Sequence, residues 1–218
     1  MKKHRISPFL IDIVQSALLS CEGVVFDSRD ACPVCGGNLS GYDTKKKQFA
    51  VVIEKDTPHP VNVFVKRFTC RACHTLCFAD EPFYPDTRTG SPVVDLSLTL
   101  SARMPFHRSA AFMDHLGIRV DRGTIRNYTL RKFPEIPTTD LFGILLPISI
   151  ISLSELSFRS GEGSRIEGAE VLAACGFPSA YRAAPDRLLL KKEGSERENE
   201  EDKEKWQAHH PENDSNSQ

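Results

Sequence analysis

Cys32-Pro-Val-Cys35 and Cys70-Arg-Ala-Cys73 are two Cys-x-x-Cys pairs separated by 34 residues, Gly36 to Thr69. No other feature limits the fold of this chain so sharply. Each pair turns its two sulfurs toward one centre through a tight knuckle, and four thiolates satisfy a tetrahedral d¹⁰ ion. Gly36 and Gly37 follow the first pair, where the backbone bends sharply and favours positive φ. The second pair also opens "CRACH", the spacing that attaches a c-type haem. Haem attachment leaves "ACPVCGG" without a role and requires export from the cytosol. One Zn2+ held by Cys32, Cys35, Cys70 and Cys73 accounts for both pairs. His74 and Cys77 are near enough in sequence to replace Cys70 or Cys73, and the matched spacing of the pairs favours the four-thiolate set. Cys77, Cys21 and Cys175 read as small buried residues.

Between the pairs, "QFAVVIEK" at 48–55 and "VNVFVKRF" at 61–68 read as strands, with "DTPHP" as the turn between them. Knuckle, hairpin, knuckle is the plan of a zinc ribbon, expected over residues 29–82. A helix within residues 1–28 precedes it. Seven cysteines with no sign of export point to metal binding in a cytoplasmic protein rather than to disulfides. Asp12 and Gln15 interrupt the first apolar run, so no secretory leader is expected. The run "LFGILLPISIISL" at 141–153 is about half the ~20 residues a membrane span needs, and Pro147 breaks it. No membrane partner is expected.

After the connector "EPFYPDTRTGSP" the period changes to that of helices. An apolar helix begins near Val93 and ends near Met104-Pro105. "HRSAAFMDHLG" follows with Gly117 as its stop, and "DRGTIRNYTLRKF" opens with Asp121 as N-cap and closes at Pro134. Two short helices joined by a glycine-containing turn, the second one basic, form a helix-turn-helix signature, expected over 91–133. From Ser101 to Phe133 seven Lys/Arg oppose two Asp, a net of +5. With Ile125 and Tyr128 on the core side of a helix over 121–133, Arg122, Arg126 and Asn127 lie toward a DNA groove, where Arg reads guanine and Asn adenine. Arg108, Arg119, Arg131 and Lys132 are candidate contacts to double-stranded DNA, the last two to phosphate. The alternative is a helical domain with a solvated basic face.

The order "CPVCGG", "EKDTPHPVNV", "FTCRACHT", "YPDTRTGSPVVDL", "RMPFHRSAAFMDHLGIRVDRGTIRNY" resembles the N-terminal part of insertion-sequence transposases. That likeness covers about residues 30 to 133 and implies a zinc ribbon followed by a helix-turn-helix that binds DNA. Met104-Pro105, Arg108, Gly117-Ile118, Val120 and Gly123-Thr124-Ile125 stand where such transposases carry their "lP…R…G(I/L)xVxxGTI" run. The family continues into a catalytic domain in which three carboxylates hold two metal ions. Here Asp140, Glu155, Glu162, Glu167, Glu170 and Asp186 are available, but the stretch 134–190 is too short for the sheet that gathers such a triad. No phosphate-cradling glycine loop or nucleophile elbow appears either, so the chain is expected to be non-catalytic.

The region 134–190 carries an apolar segment that completes a small core or forms a dimer face, and a helix is expected from about Glu167 to Cys175. Residues 191–218 hold five basic and nine acidic groups with Trp206 as the only large apolar residue, and read as a disordered acidic tail. Since the chain totals 28 Lys/Arg and 29 Asp/Glu, the remainder holds 23 basic and 20 acidic groups, a net of +3. The expected fold class is α+β. The function that follows is a zinc-containing DNA-binding protein, transposase-derived or transposase-associated. The alternatives are a subunit of a transposase whose catalytic half lies on a partner chain, and a ribbon that binds protein or RNA. A homodimer is one expected assembly.

Overall fold

Lys55 and Asp56 both take left-handed backbone angles, φ +47° and +64°. They close a two-residue hairpin of the primed kind, whose twist matches that of the strands it joins. Those strands are long. β2 (Leu39–Glu54) and β3 (Thr57–Cys70) pair antiparallel from Glu54↔Thr57 at the turn to Leu39↔Cys70 at the far end. The sequence expectation placed the turn later, over 56–60, and the strands were to be shorter. Pro58 and Pro60 remain in β3 because the even-numbered amides of this stretch point away from β2. The amides of Asn62 and Phe64 donate to Glu22 Oε2 and to the Val24 carbonyl, not to β2. Proline at 58 or 60 therefore removes no bond of the β2–β3 ladder.

This computed structural model describes residues 6–160 and 165–176. The acidic tail expected over 191–218 lies outside them, as do residues 177–190. Within the described residues the architecture is mixed α and β, with six helices and two sheets. β1 (Val25–Phe26) pairs parallel to β3, and β4 (Leu76–Phe78) pairs antiparallel to it. β3 is thus the interior strand. A second sheet pairs β5 (Thr138–Leu141) with β6 (Ile144–Pro147) across Phe142 and Gly143, again both at positive φ.

α1 (Pro8–Leu19) buries Leu10, Ile13, Val14, Ala17 and Leu18, a stripe at helical spacing. It packs against α5 (Ile148–Ser160) and under β2. Truncating a fully buried side chain such as Leu10 to Ala costs about 2–5 kcal/mol. One apolar cluster joins α1, the hairpin, the middle helices, β6, α5 and α6 (Gly168–Ala174), taking in Leu146, Ile150, Leu153 and Val171 from the region after Pro134.

α2 (Ser91–Ser101) is buried on most sides, and Asp95 goes in with it at 5% exposure. The Tyr84 hydroxyl donates to Asp95 Oδ1 at 2.7 Å and Ser149 Oγ donates to Oδ2 at 2.9 Å, so the carboxylate ties α2 to the connector before it and to α5. Burial pushes the Asp95 carboxyl up to about 6, against the pull of these two hydrogen bonds.

α3 (Phe106–His115) and α4 (Arg122–Thr129) both pack on α2. Gly117, at φ +78°, turns the chain between them. The same turn joins the open edge of β2: the Ile53 amide donates to the Gly117 carbonyl at 2.7 Å, and the Arg119 amide to the Val51 carbonyl at 2.9 Å. Asp121 caps α4 by accepting from the Thr124 amide at 2.9 Å, and Ile125 and Tyr128 face the core. The helix expected over 121–133 stops at Thr129. Beyond it the Arg131 amide bonds three residues back, to Tyr128, and its guanidinium donates to the Asp86 carbonyl at 2.6 Å. That bond draws the chain away from the helix axis before Pro134 is reached.

Candidate metal centre

Cys32 and Cys35 lie in the loop before β2, and Cys70 ends β3 with Cys73 in the turn after it. Because Leu39 pairs with Cys70, the β2–β3 register lays one loop against the other. The two knuckles share one backbone plan. Cys32 donates its amide to the Gly37 carbonyl and accepts from Gly36, at 3.0 and 2.9 Å. Cys70 donates to the Thr75 carbonyl and accepts from His74, both at 3.0 Å. A further bond, from the Arg71 amide to the Asn38 carbonyl at 2.9 Å, locks the loops together.

All four sulfurs lie within 4.8 Å of one another. Cys32 Sγ is 3.6 Å from Cys73 Sγ, and Cys35 Sγ is 3.4 Å from Cys70 Sγ. A tetrahedral site with metal–sulfur bonds of ~2.3 Å separates its sulfurs by ~3.8 Å, so the donor set fits such an ion with small adjustment. These distances are far above a disulfide bond, and the cysteines are free thiols. Gly37 is needed for this approach. A Cβ there would stand 2.9 Å from Ala72 Cβ, 3.1 Å from Cys70 Sγ and 3.2 Å from Cys35 Sγ.

The thiols are not equivalent. Thr75, through its hydroxyl and its amide, holds the Cys73 thiol down to about 6. The amide of Cys73, followed by that of Ala72, lowers Cys70 as well. The Gly37 amide draws Cys35 down, but Cys73, Cys70 and Cys32 together raise it, and the net is a push up to about 12. Thiolate character therefore gathers on the second knuckle. Burial raises the thiols of Cys21, Cys77 and Cys175. These three are buried, as small core residues are. Cys77 is in β4, and His74 is exposed; neither belongs to the four-sulfur group.

The candidate DNA-contacting residues are spread over α3, its turn and α4. Arg122, Arg126 and Asn127 are exposed on α4, and Arg122 and Arg126 line one cleft. Arg108 is exposed on α3, and Arg119 stands in the turn 4.0 Å from Asp114. Lys132 is exposed beyond the end of α4. Arg131, expected to meet phosphate, is half-buried with its guanidinium on the Asp86 carbonyl. Two contributors were not singled out from sequence. Thr75 Oγ1 lies 3.3 Å from Cys73 Sγ, and Arg103, in the turn after α2, shares the cleft of Arg122 and Arg126. The Thr75 role follows from its place two residues after Cys73, whereas only the packing of α2 against α4 brings Arg103 into place.

No helix among the described residues is long and apolar enough to cross a membrane. Comparison with protein-family models, with curated proteins and with solved structures gave no match.

Proposed function

We propose that this chain is a non-catalytic, zinc-containing DNA-binding protein, transposase-derived or transposase-associated. In this reading the four cysteines hold one Zn2+ as the structural fastening of a zinc ribbon, and α3 and α4 are a helix-turn-helix. The observation that carries it is the division of α4: Ile125 and Tyr128 are buried while Arg122, Arg126 and Asn127 are exposed. A short capped helix with that division offers guanine- and adenine-reading side chains to a major groove. Zinc is the metal because four thiolates at tetrahedral spacing suit it, and a structural site needs no open position.

Selection from a random duplex pool tests the reading. A recovered motif gives the preferred site, and its symmetry gives the assembly on DNA. Arg126→Ala should then weaken binding to that site by about 1–3 kcal/mol and to random duplex far less. Lys132→Ala should weaken both alike and flatten the salt slope by about one unit. Failure to select any motif, with equal losses on all sequences in both variants, favours the ribbon as a protein- or RNA-binding module.

A further inference from the structure

Arg103, in the turn between α2 and α3, and Arg122 and Arg126, on α4, line one cleft of about 750 Å³. His107 and Gly123 are also in its wall, and no carboxylate is. Four cations of the described residues have acidic partners, Arg29 with Asp80, Lys47 with Glu81, Arg67 with Asp43 and Arg119 with Asp114, while others such as Lys45, Lys46 and Arg108 stand without one but lie outside this cleft. Arg103, Arg122 and Arg126 have none. Asp121, which precedes Arg122 in the chain, is engaged in capping α4 through the amide and hydroxyl of Thr124. Three unpaired guanidiniums around one concavity repel each other, an arrangement that an anion relieves. Guanidinium forks match the oxygens of a phosphate in pairs.

We propose, on the basis of the DNA-binding reading above, that this cleft seats one backbone phosphate of the duplex. Arg103 and Arg122 grip the phosphate from opposite walls, and the grip sets the register in which Arg126 and Asn127 meet base edges. Arg103 is then a positioning residue: it carries no sequence information, and it decides where along the groove α4 stops. Gly123 suits the role, because a residue without Cβ leaves the first turn of α4 open to the sugar-phosphate chain.

The test uses the full chain and a duplex carrying the selected motif, with each phosphate in turn replaced by a neutral methylphosphonate. The unmodified protein should lose about tenfold in affinity at one position near the α4 site. Arg103→Ala should lose a similar factor on unmodified duplex, equally on selected and scrambled sequences. It should also flatten the salt slope by about one unit and no longer respond to the methylphosphonate at that position. Arg103→Lys, which keeps the charge, should recover part of the affinity. An Arg103→Ala variant that binds, titrates and scans like the parent overturns the phosphate seat and leaves the DNA reading intact. A parent protein without salt-dependent duplex binding overturns both. Arg103 is exposed, and an unchanged melting temperature in the variant separates lost contact from lost fold.

Discussion

Gly36 and His74 occupy the same place in their respective knuckles: each directly follows the second cysteine of its pair, at φ +70° and +58°. Each donates its amide to the carbonyl of the first cysteine of that pair. At one knuckle the left-handed position is filled by glycine; at the other, histidine bears a cost of about 1–2 kcal/mol for the same backbone. Replacing His74 with Gly relieves that strain but adds freedom to the unfolded chain worth about 1 kcal/mol. The variant should therefore melt within about 1 kcal/mol of the parent and keep one metal per chain. Loss of metal from His74→Gly would reassign histidine as a ligand.

Metal content discriminates among the cysteines. Serine at Cys32, Cys35, Cys70 or Cys73 should abolish stoichiometric zinc, measured by elemental mass spectrometry on the folded protein. A chelator should have the same effect, opening the knuckles because structural zinc contributes folding energy directly. Cys77→Ala should retain the metal and lose about 1 kcal/mol from its buried place in β4. Zinc lost on Cys77→Ala would show that the thiol takes part.

Asp95 makes stability depend on pH in a definite direction. Its carboxyl is raised from 3.8 to about 6, so the folded chain holds the proton more tightly than the unfolded chain does. That contribution is complete below about 3.8 and is lost as pH rises through about 6, a change on the order of 2–3 kcal/mol. Asp95→Asn keeps the shape and an acceptor for Tyr84 without the buried charge. In urea titrations it should exceed the parent at pH 8 and match it near pH 4. An equal difference at both values would mean that the carboxylate's ionisation is not the cause.

Gly117 and Gly143 separate conformation from contact. Both have positive φ, +78° and +77°. A Cβ on Gly143 would meet nothing within 4 Å, whereas one on Gly117 would lie 1.9 Å from Gln15 Nε2. Gln15 in turn donates to the Ile53 carbonyl at 3.0 Å. Gly143→Ala should cost about 1–2 kcal/mol, the backbone share alone. Gly117→Ala should cost about 1 kcal/mol more, since the Gln15 side chain must give up its place and its bond to the Ile53 carbonyl. Equal losses in thermal melts would show that Gln15 simply swings aside.

What the sequence disclosed tracks how local each determinant is. The four cysteines were legible because a two-residue gap forces a knuckle wherever the pair is placed. Asp121 and the Ile125/Tyr128 face of α4 were legible for the same reason, resting on interactions three or four residues long. The hairpin turn was misplaced because Lys55-Asp56 carries none of the usual glycine or asparagine of a primed turn, while two prolines nearby do mark turns in most settings. Their tolerance inside β3 depends on which way its amides face, and that follows from pairing with Glu22 and Val24. The end of α4 was overrun because its stop includes the bond from Arg131 to Asp86, 45 residues away. Asp95 in an apolar helix reads as a solvated edge until Tyr84 and Ser149, from two other elements, close over it.

The β2–β3 hairpin is fastened at both ends, by the Lys55–Asp56 turn and the Val52–Ile118 bridge at one and by the cysteine knuckles at the other. Only the knuckle fastening can be undone by chemistry. If the four cysteines hold a metal as proposed, its withdrawal should open the hairpin from that side, with amide protection falling first at Leu39 and Cys70 and persisting longest near Val52. The loss of order travels toward the Val52–Ile118 bridge and reaches the turn before α4 last, so the hairpin loosens by degrees rather than all at once.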